Sequence, residues 1–365
     1  MSLGPLEIYQ AGLKEGRFHS DAEQLKVIMI LQSLFESVME KLPNSKNFFL
    51  RFLFKKKDIE VPKGLYLWGG VGRGKTLLMD IFFESLPFEE KVRLHFHRFM
   101  KEVHARLANL QGSSNPLKLV ASQFREKALI LCFDEFYVTD IGDAMLLGGL
   151  LDEMINLGMI LVATSNVPPS HLYENGLQRR KFLPAIELIE NSTKVHELAN
   201  DVDYRLRALE NAGVYHHPLN KESNNALETA FEKICMGNHQ KSPEIIINGR
   251  KIVAKEIGND IAWFDFSVLC KGARSQNDYI ELAKIYQTII LSNVPSLAAE
   301  QDDQARRFIS LIDEFYDTNV KLIISAEVPI ENLYRGQQLT FEFQRTRSRL
   351  IEMQSTDYLM KQHLP

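Results

Sequence analysis

The sequence of 365 residues is poor in cysteine and has no long apolar segment, and each absence excludes a class of protein. Its three cysteines, Cys132, Cys235 and Cys270, are far apart and form no Cys-x-x-Cys pair. A zinc site or a disulfide framework is therefore not expected, whereas a reducing cytoplasm is. No run of about 18 apolar residues occurs, so we expect no membrane-spanning helix. The first residues lack the basic start and apolar core of a secretory signal.

An excess of charge of one sign is also missing. The formal net charge is −4, so the composition does not indicate a nucleic-acid partner, although a local basic patch would not show in this sum. Hydrophobic residues make up 45% of the sequence and charged residues 25%, which is typical of a globular protein. The length is sufficient for two domains.

The apolar pattern divides the sequence into three segments. Residues 1–62 are predicted to form an N-terminal helical segment, in which Asp21 caps a helix that ends at Pro43. Residues 63–212 alternate between strands and helices, which predicts an α/β core with a doubly wound parallel sheet. Residues 213–365 are predicted to form a second, C-terminal α/β domain.

The middle segment is predicted to contain five strands joined by helices. The strands are expected at 64–69, 91–97, 128–133, 159–164 and 194–198. The helices are expected at 75–86, 98–110, 117–126, 142–157 and 177–190. The aromatic and lysine-rich stretch at 47–58, which precedes this segment, is interpreted as an amphipathic packing helix, with membrane contact as the alternative.

A glycine-rich loop follows the first of these strands. Residues 69–76 read GGVGRGKT, which fits the pattern G-x-x-x-x-G-K-[ST] between an apolar strand and an amphipathic helix. In this setting backbone N–H groups surround nucleotide phosphates, the lysine adds a positive charge, and the helix N-terminus adds its dipole. The Thr76 hydroxyl is a predicted ligand of Mg²⁺. The predicted ATP-binding residues are Gly69, Gly70, Val71, Gly72, Arg73, Gly74, Lys75 and Thr76.

Two adjacent carboxylates end the apolar strand LILCF. Asp134 and Glu135 would be costly beside a buried strand unless a cation lies opposite them. In a parallel sheet the ligand binds outside the carboxyl ends of the strands, where the glycine-rich loop also lies. We therefore predict that Asp134 holds Mg²⁺, directly or through water, and that Glu135 orients and deprotonates the attacking water.

Two further polar groups follow later strands. Asn166 comes just after the strand at 159–164, where a neutral amide is able to contact the γ-phosphate or the attacking water. Arg179, Arg180 and Lys181 lie at a predicted helix start. An arginine that reached a neighbouring subunit's γ-phosphate would stabilise the charge of the transition state. The alternative interpretation of this basic run is a solvated turn.

These motifs together resemble the ZapE family of AAA-type (AAA+) ATPases, which includes bacterial division proteins and mitochondrial relatives. The resemblance rests on GVGRGKT, LCFDEFYVTDIGDAM, ATSNVPPSHLYENGLQRRKFLPAI, DYRLR (203–207) and GARSQNDY (272–279). It implies Mg²⁺-dependent ATP hydrolysis that is coupled to the remodelling or regulation of a protein partner in cell division. It also implies a cytoplasmic homo-oligomer, with the tubulin-like ring protein FtsZ as the partner.

The resemblance also implies roles for individual residues. It makes Lys75, Asp134, Glu135, Asn166 and Arg179 the predicted catalytic residues, with Thr76 and Asp134 at the metal. Arg180 and Arg274 are further candidates for the arginine that acts in trans. The helical lid of other AAA proteins cannot be placed in this sequence, so Arg274 is the candidate for the arginine that would sense nucleotide from that lid.

The second half of the sequence echoes the first. LVATSNVPPSHLYENG (161–176) is similar to LIISAEVPIENLYRG (322–336), and TIILSNVP stands where LILCFDEF would be, without its acids. The stretch 264–286 has the texture of the strand, loop and helix around the glycine-rich loop. One interpretation is a degenerate second copy of the core that has lost catalysis. The other is two unrelated strand–helix–strand units.

Three other functions are compatible with parts of this pattern. A nucleic-acid-linked AAA loader shares the same core, but the net acidity of the sequence argues against it. A small-molecule kinase would not need the carboxylate, amide and arginine series in this order. A nucleotide-dependent switch with negligible turnover is the last alternative, and Glu135 argues against it.

Overall fold

A computed structural model describes residues 3–17, 20–41, 61–70, 72–199, 206, 209, 213–235, 239–258, 260–361 and 363–364. The chain forms two compact units, Met1–Asp201 and Val202–Pro365, which are treated one at a time. The segment limits at 62/63 and 212/213 stay predictions. The stretch at 47–58 and most of DYRLR lie outside the described residues, as does Val71 of the glycine-rich loop.

The first unit is a five-stranded parallel sheet with helices on both faces. Its strands are β1 (Gly64–Trp68), β2 (Lys91–His95), β3 (Ile130–Asp134), β4 (Ile160–Ser165) and β5 (Thr193–Glu197). Its helices are α1 (Pro5–Lys14), α2 (Ala22–Lys41), α3 (Lys75–Ser85), α4 (Phe96–Ala108), α5 (Pro116–Lys127), α6 (Ile141–Asn156) and α7 (Leu183–Ser192). The predicted α/β fold with a parallel sheet is confirmed.

The strand order in this sheet is β2-β3-β4-β1-β5. β3 and β4 are buried along their whole length, which explains why their sequences are continuously apolar instead of alternating. The apolar side chains on one face pack against α4 to α7, and those on the other face pack against α1 to α3. The order brings the ends of β1, β4 and β3 side by side, where the sequence placed the functional groups.

The predicted cap of α2 is confirmed. The Asp21 carboxylate accepts hydrogen bonds from the backbone N–H groups of Glu23 (2.8 Å) and Gln24 (3.1 Å). Tyr9 of α1 is buried and its hydroxyl lies 3.4 Å from the Asp21 nitrogen. The cap therefore fixes the first turn of α2, from which Gln24 projects.

One predicted helix begins later than the sequence indicated. We expected a helix over 177–190, but α7 begins at Leu183 and is preceded by a short 3-10 turn, Arg179–Lys181. Gln178 has a left-handed backbone with φ +58°, which no α-helix accommodates. The three basic residues at 179–181 consequently lie in a turn.

The second unit contains a six-stranded sheet and a separate hairpin. Its strands are β6 (Tyr215–His216), β7 (Gln240–Lys241), β8 (Glu244–Ile247), β9 (Arg250–Val253), β10 (Glu256–Ile257), β11 (Ile261–Asp265), β12 (Thr288–Val294) and β13 (Lys321–Ala326). Its helices are α8 (Lys221–Ile234), α9 (Gln276–Ile285), α10 (Asp302–Asp317), α11 (Thr340–Glu352) and α12 (Thr356–Met360). Trp263 of β11 is fully buried in its core, whereas the other tryptophan, Trp68, ends β1 and is partly exposed.

The second sheet repeats the strand order of the first. Its order is β6-β13-β12-β11-β10-β7, and the first four strands are mutually parallel. In chain order β6, β11, β12 and β13 thus take the places of β1, β2, β3 and β4. This finding supports the interpretation of a degenerate copy, which required a parallel sheet in this region.

The topology corrects one detail of that interpretation. The sequence of 264–286 suggested that its strand, β11, is the counterpart of β1, the strand before the glycine-rich loop. In the sheet, β11 instead has the position that β2 has in the first unit. The place of β1 belongs to β6, and the turn from β6 to α8 contains His217, Pro218 and Asn220 instead of a glycine-rich loop. β6 is too short for its apolar pattern to be recognised.

None of the helices in the described part of the chain is long and apolar enough to cross a membrane.

We predict that Gly64→Ala disrupts the first sheet. A Cβ at Gly64 would overlap the carbonyl oxygen of Leu161 on β4, so the two strands would have to separate. The expected loss in the free energy of unfolding is about 3 kcal/mol. Urea denaturation followed by circular dichroism measures it.

Gly148→Ala is the matched control in the same unit. A Cβ there makes only an ordinary contact with Ala185, 3.5 Å away, and the helix gains roughly 0.5–1 kcal/mol from losing a glycine. Equal stabilities for both variants and the wild type would show that β1 and β4 do not pair as described.

Candidate active site

The predicted functional groups meet at the carboxyl edge of the first sheet. β1, β3 and β4 are parallel neighbours, so the glycine-rich loop, the two carboxylates and Asn166 all begin at this edge. The end of β4 connects the first two groups directly. Its Ser165 carbonyl accepts a hydrogen bond from the Gly69 N–H (3.2 Å), and its Thr164 hydroxyl accepts one from the Glu135 N–H (3.3 Å).

The glycine-rich loop lies between β1 and the N-terminus of α3. Gly72 and Gly74 have left-handed backbones, with φ +75° and +90°, which residues with a Cβ rarely adopt. The Lys75 ammonium donates hydrogen bonds to the carbonyls of Gly69 and Gly70, both at 2.7 Å. These bonds hold the positive charge inside the loop, where phosphate oxygens would replace the carbonyls.

Side chains from outside the loop support its shape. Gln24 of α2 is only 4% exposed, and its amide donates to the Arg73 carbonyl at 3.3 Å. A Cβ at Gly74 would lie 2.5 Å from this amide nitrogen and would displace the Gln24 side chain, while the φ of +90° favours glycine by itself. The Arg73 guanidinium donates to the carbonyl of Leu198, just after β5, at 3.0 Å. The loop is therefore attached to both the N-terminal helices and the edge of the sheet.

Asp134 ends β3 and forms a buried ion pair with Arg93 of β2. The Arg93 Nε donates to Asp134 Oδ2 at 2.6 Å, and Nη2 donates to Oδ1 at 3.1 Å. The remaining Nη1 of Arg93 pairs with Asp80 of α3. Burial by itself lowers the pKa of Arg93, but the two carboxylates outweigh it and raise this pKa above its ordinary value. The guanidinium thus stays charged.

Cys132 lies on β3 two residues before Asp134 and is not suited to act as a nucleophile. It is fully buried, and this burial raises the pKa of its thiol to about 12. Since a neutral thiol is a poor nucleophile and metal ligand, the chemistry at this edge is left to oxygen and nitrogen groups.

Glu135 follows Asp134 in an unusual backbone conformation. Its φ of +52° is uncommon for a residue with a side chain, and the bond from its N–H to Thr164 helps to hold that conformation. The next residue continues the link to β4, since the Phe136 N–H donates to the Thr164 carbonyl at 2.7 Å. Because of this turn, Glu135 does not continue the alternation of side chains along the buried strand. Its side chain is partly exposed.

The second unit has the same turn without the acid. Asn293, near the end of β12, has φ +62°, and its N–H donates to the Ser325 hydroxyl of β13 at 3.1 Å. The strand register places Asn293 where the first sheet has Glu135 and Ser292 where it has Asp134. The left-handed turn held by a hydroxyl group therefore occurs in both units, whereas the two carboxylates at this position occur only in the first.

The remaining predicted residues differ in how accessible they are. Asn166 is partly exposed just beyond β4. Arg179 is partly buried and its Nη2 donates to the Ser170 carbonyl at 2.5 Å, whereas Arg180 is exposed. Arg274 belongs to the second unit, where it donates to the carbonyls of Val268 (3.2 Å) and Lys251 (3.4 Å).

The oxygen groups at this edge fit Mg²⁺. The Thr76 hydroxyl at the start of α3 and the carboxylates of Asp134 and Glu135 are hard oxygen donors, which Mg²⁺ prefers. Asp134 is held in one orientation by Arg93, so it is suited to a metal site. The number of candidate protein ligands is small, which agrees with Mg²⁺ because this ion keeps several water ligands and binds phosphate oxygens.

Two residues of this site, Arg93 and Gln24, are not apparent from the sequence pattern. Lys91, Arg93 and His95 alternate with apolar residues along β2, a pattern that indicates one solvated face of a strand. Only the position of β2 beside β3 reveals that Arg93 faces Asp134. The contact of Gln24 with the loop depends on how α2 packs, which the pattern does not encode.

Comparison with known proteins places this site in a family. The AFG1-like ATPase family model matches residues 3–362. The cell division protein ZapE of Escherichia coli K12 is 44% identical over 371 residues, which covers 100% of this chain and 99% of that protein. Lactation elevated protein 1 homolog B of Danio rerio is 36% identical over 314 residues, which covers 82% of this chain and 62% of that protein.

Similarity to solved structures is weak. The crystal structure of DnaI aligns with a TM-score of 0.30 and 18% identity over 47% of this chain and 92% of that chain, too low to bear on the fold. The family match nevertheless spans nearly the whole chain, and the resemblance to the ZapE family is confirmed. The glycine-rich loop between β1 and α3 of a parallel sheet agrees with this match. The chain belongs to the AFG1-like ATPase family.

Proposed function

We propose that this protein is a Mg²⁺-dependent ATP hydrolase that uses ATP binding and hydrolysis to remodel or regulate a protein partner in cell division. The observation that carries the proposal is the end of β4, which hydrogen-bonds both the phosphate loop and the turn of Glu135. Nucleotide-binding and water-activating groups are thereby held on one rigid edge. Rigid placement of this kind is what phosphoryl transfer to water requires.

The roles of the binding residues follow from their positions. The backbone N–H groups of residues 69–76 and the N-terminus of α3 bind the β- and γ-phosphates. When ATP binds, the Lys75 ammonium exchanges its hydrogen bonds to the carbonyls of Gly69 and Gly70 for ion pairs with phosphate oxygens. Thr76 and Asp134 hold Mg²⁺, which neutralises charge on the β- and γ-phosphates when it is bound.

Glu135 and Asn166 act on the water. Glu135 accepts a proton from the attacking water, and its turn keeps the carboxylate out of the buried strand. Asn166, beyond the end of the neighbouring strand, orients that water or the γ-phosphate through its amide. An arginine of the 179–181 turn stabilises the negative charge of the transition state in a neighbouring subunit of a homo-oligomer.

The partner that we propose is FtsZ, which the ZapE resemblance implies, and the proposed location is the cytoplasm. The name of the E. coli relative supports a role in cell division. Cys132, Cys235 and Cys270 form no disulfide within the described residues, which is compatible with a reducing compartment.

We predict that Glu135→Gln and Lys75→Ala each lower steady-state phosphate release from MgATP at least about 100-fold, the range typical of a lost general base. Glu135→Gln should still bind ATP and retain the assembled state, because only proton acceptance is removed. Lys75→Ala should lose ATP affinity. Phosphate release, ATP binding and oligomer size measured on the purified proteins test these outcomes.

Two exposed positions in the same unit provide matched controls. Glu174→Gln and Lys127→Ala make the same chemical changes at exposed residues and should hydrolyse ATP at the wild-type rate. If Glu135→Gln hydrolyses ATP as fast as Glu174→Gln does, Glu135 is not the base. The protein would then be a nucleotide-dependent switch or use another residue.

We further predict that the arginine acting in trans is found by subunit mixing. Arg180 is exposed, whereas Arg179 is attached to Ser170, so Arg180→Ala should lose about 10³-fold in turnover and Arg179→Ala less. Adding Glu135→Gln subunits, which keep their arginines, should restore hydrolysis in the intact sites of Arg180→Ala subunits.

Lys181→Ala, a change at the adjacent exposed cation, is the control for this experiment and should remain active by itself. An Arg180→Ala protein that stays inactive in every mixture would show that the arginine acts within its own subunit. A larger loss for Arg179→Ala, restored by mixing, would assign the role to Arg179.

A further inference from the structure

Arg93 is a charged side chain in the interior of the ATPase unit that the proposed reaction does not use. Its side chain is 14% exposed, and those of its partners Asp80 and Asp134 are 11% and 7% exposed. Buried charges are costly unless they are paired and hydrogen-bonded. A chain that needed only packing here would be served by an apolar residue, so the position of the charges calls for a functional explanation.

The geometry of the pair is specific to Asp134. Nε and Nη2 of Arg93 each donate to a different oxygen of this carboxylate, at 2.6 and 3.1 Å, and so fix the plane in which it lies. Nη1 points to Asp80, which lies on α3 one turn after Thr76. Arg93 thereby connects the helix that follows the phosphate loop to the strand that carries Asp134.

The pair leaves part of the Asp134 carboxylate available. A carboxylate has about four acceptor sites, of which Arg93 uses one on each oxygen. The remaining sites are able to face a metal ion or one of its water ligands in the plane that Arg93 fixes.

We infer that Arg93 is the positioning residue of the metal site: its two hydrogen bonds orient the Asp134 carboxylate toward Mg²⁺. The inference rests on the proposed function, because it takes Asp134 to be a residue of the Mg²⁺ site. It goes further in that it assigns a role to Arg93, which the proposed reaction does not use.

The test uses Mn²⁺ as a paramagnetic probe in place of Mg²⁺, with ADP and no turnover. Arg93→Lys keeps the positive charge but cannot donate to both oxygens in a planar fork. We expect Mn²⁺ affinity for the protein–ADP complex, measured by EPR titration, to fall at least about 10-fold, as for other residues that orient metal ligands. ADP affinity in EDTA should change less than 3-fold, because the phosphate loop is intact.

Asp80→Asn is the matched control. It removes the other acid of the cluster and leaves both bonds between Arg93 and Asp134, so Mn²⁺ affinity should change less than 3-fold. Wild-type Mn²⁺ affinity in Arg93→Lys, or an equal loss in Asp80→Asn, overturns the positioning role. A wild-type protein that binds ADP without any effect of Mn²⁺ would instead overturn the proposed metal site.

Discussion

The hydrogen bonds at the carboxyl end of β4 are the constraint on which the first unit's site depends. Thr164 holds the turn that begins at Glu135 on one side, while Ser165 holds Gly69 on the other. β4 lies between β1 and β3 in the sheet and forms hydrogen bonds with both of them. The distance from the phosphate loop to the carboxylates is therefore set by one strand, and that strand is buried throughout.

The second unit shows that this backbone arrangement does not require an acidic residue at the turn. Asn293 has the same left-handed backbone as Glu135. The N–H of Asn293 donates a hydrogen bond to the Ser325 hydroxyl, just as the N–H of Glu135 donates one to the Thr164 hydroxyl. In both units the turn is held by a hydroxyl of the neighbouring parallel strand. What distinguishes the first unit is a small set of side chains on a common framework: the glycine-rich loop, Asp134, Glu135, and Arg93, which pairs with Asp134.

The sequence predicted most of the first unit and much less of the second. β1 to β5 were located within two residues of their ends, because continuously apolar strands and amphipathic helices each leave a clear periodicity. Pattern alone did not reveal the partner of Arg93, since an ion pair across strands depends on strand order, which periodicity does not encode. β6 was missed as a strand because Tyr215–His216 is too short to show a period.

The distribution of tryptophan gives the two units separate optical signals. The chain has two tryptophans, and each unit contains one of them. Trp68 immediately precedes Gly69 and is partly exposed, so its emission will respond to the solvent and charge around the phosphate loop. Trp263 is fully buried in β11 with the Lys255 ammonium 3.6 Å from its ring centre, and it will respond only when that core opens. Replacing one indole at a time would let nucleotide binding and unfolding of the second unit be followed independently in the same chain, without an added dye.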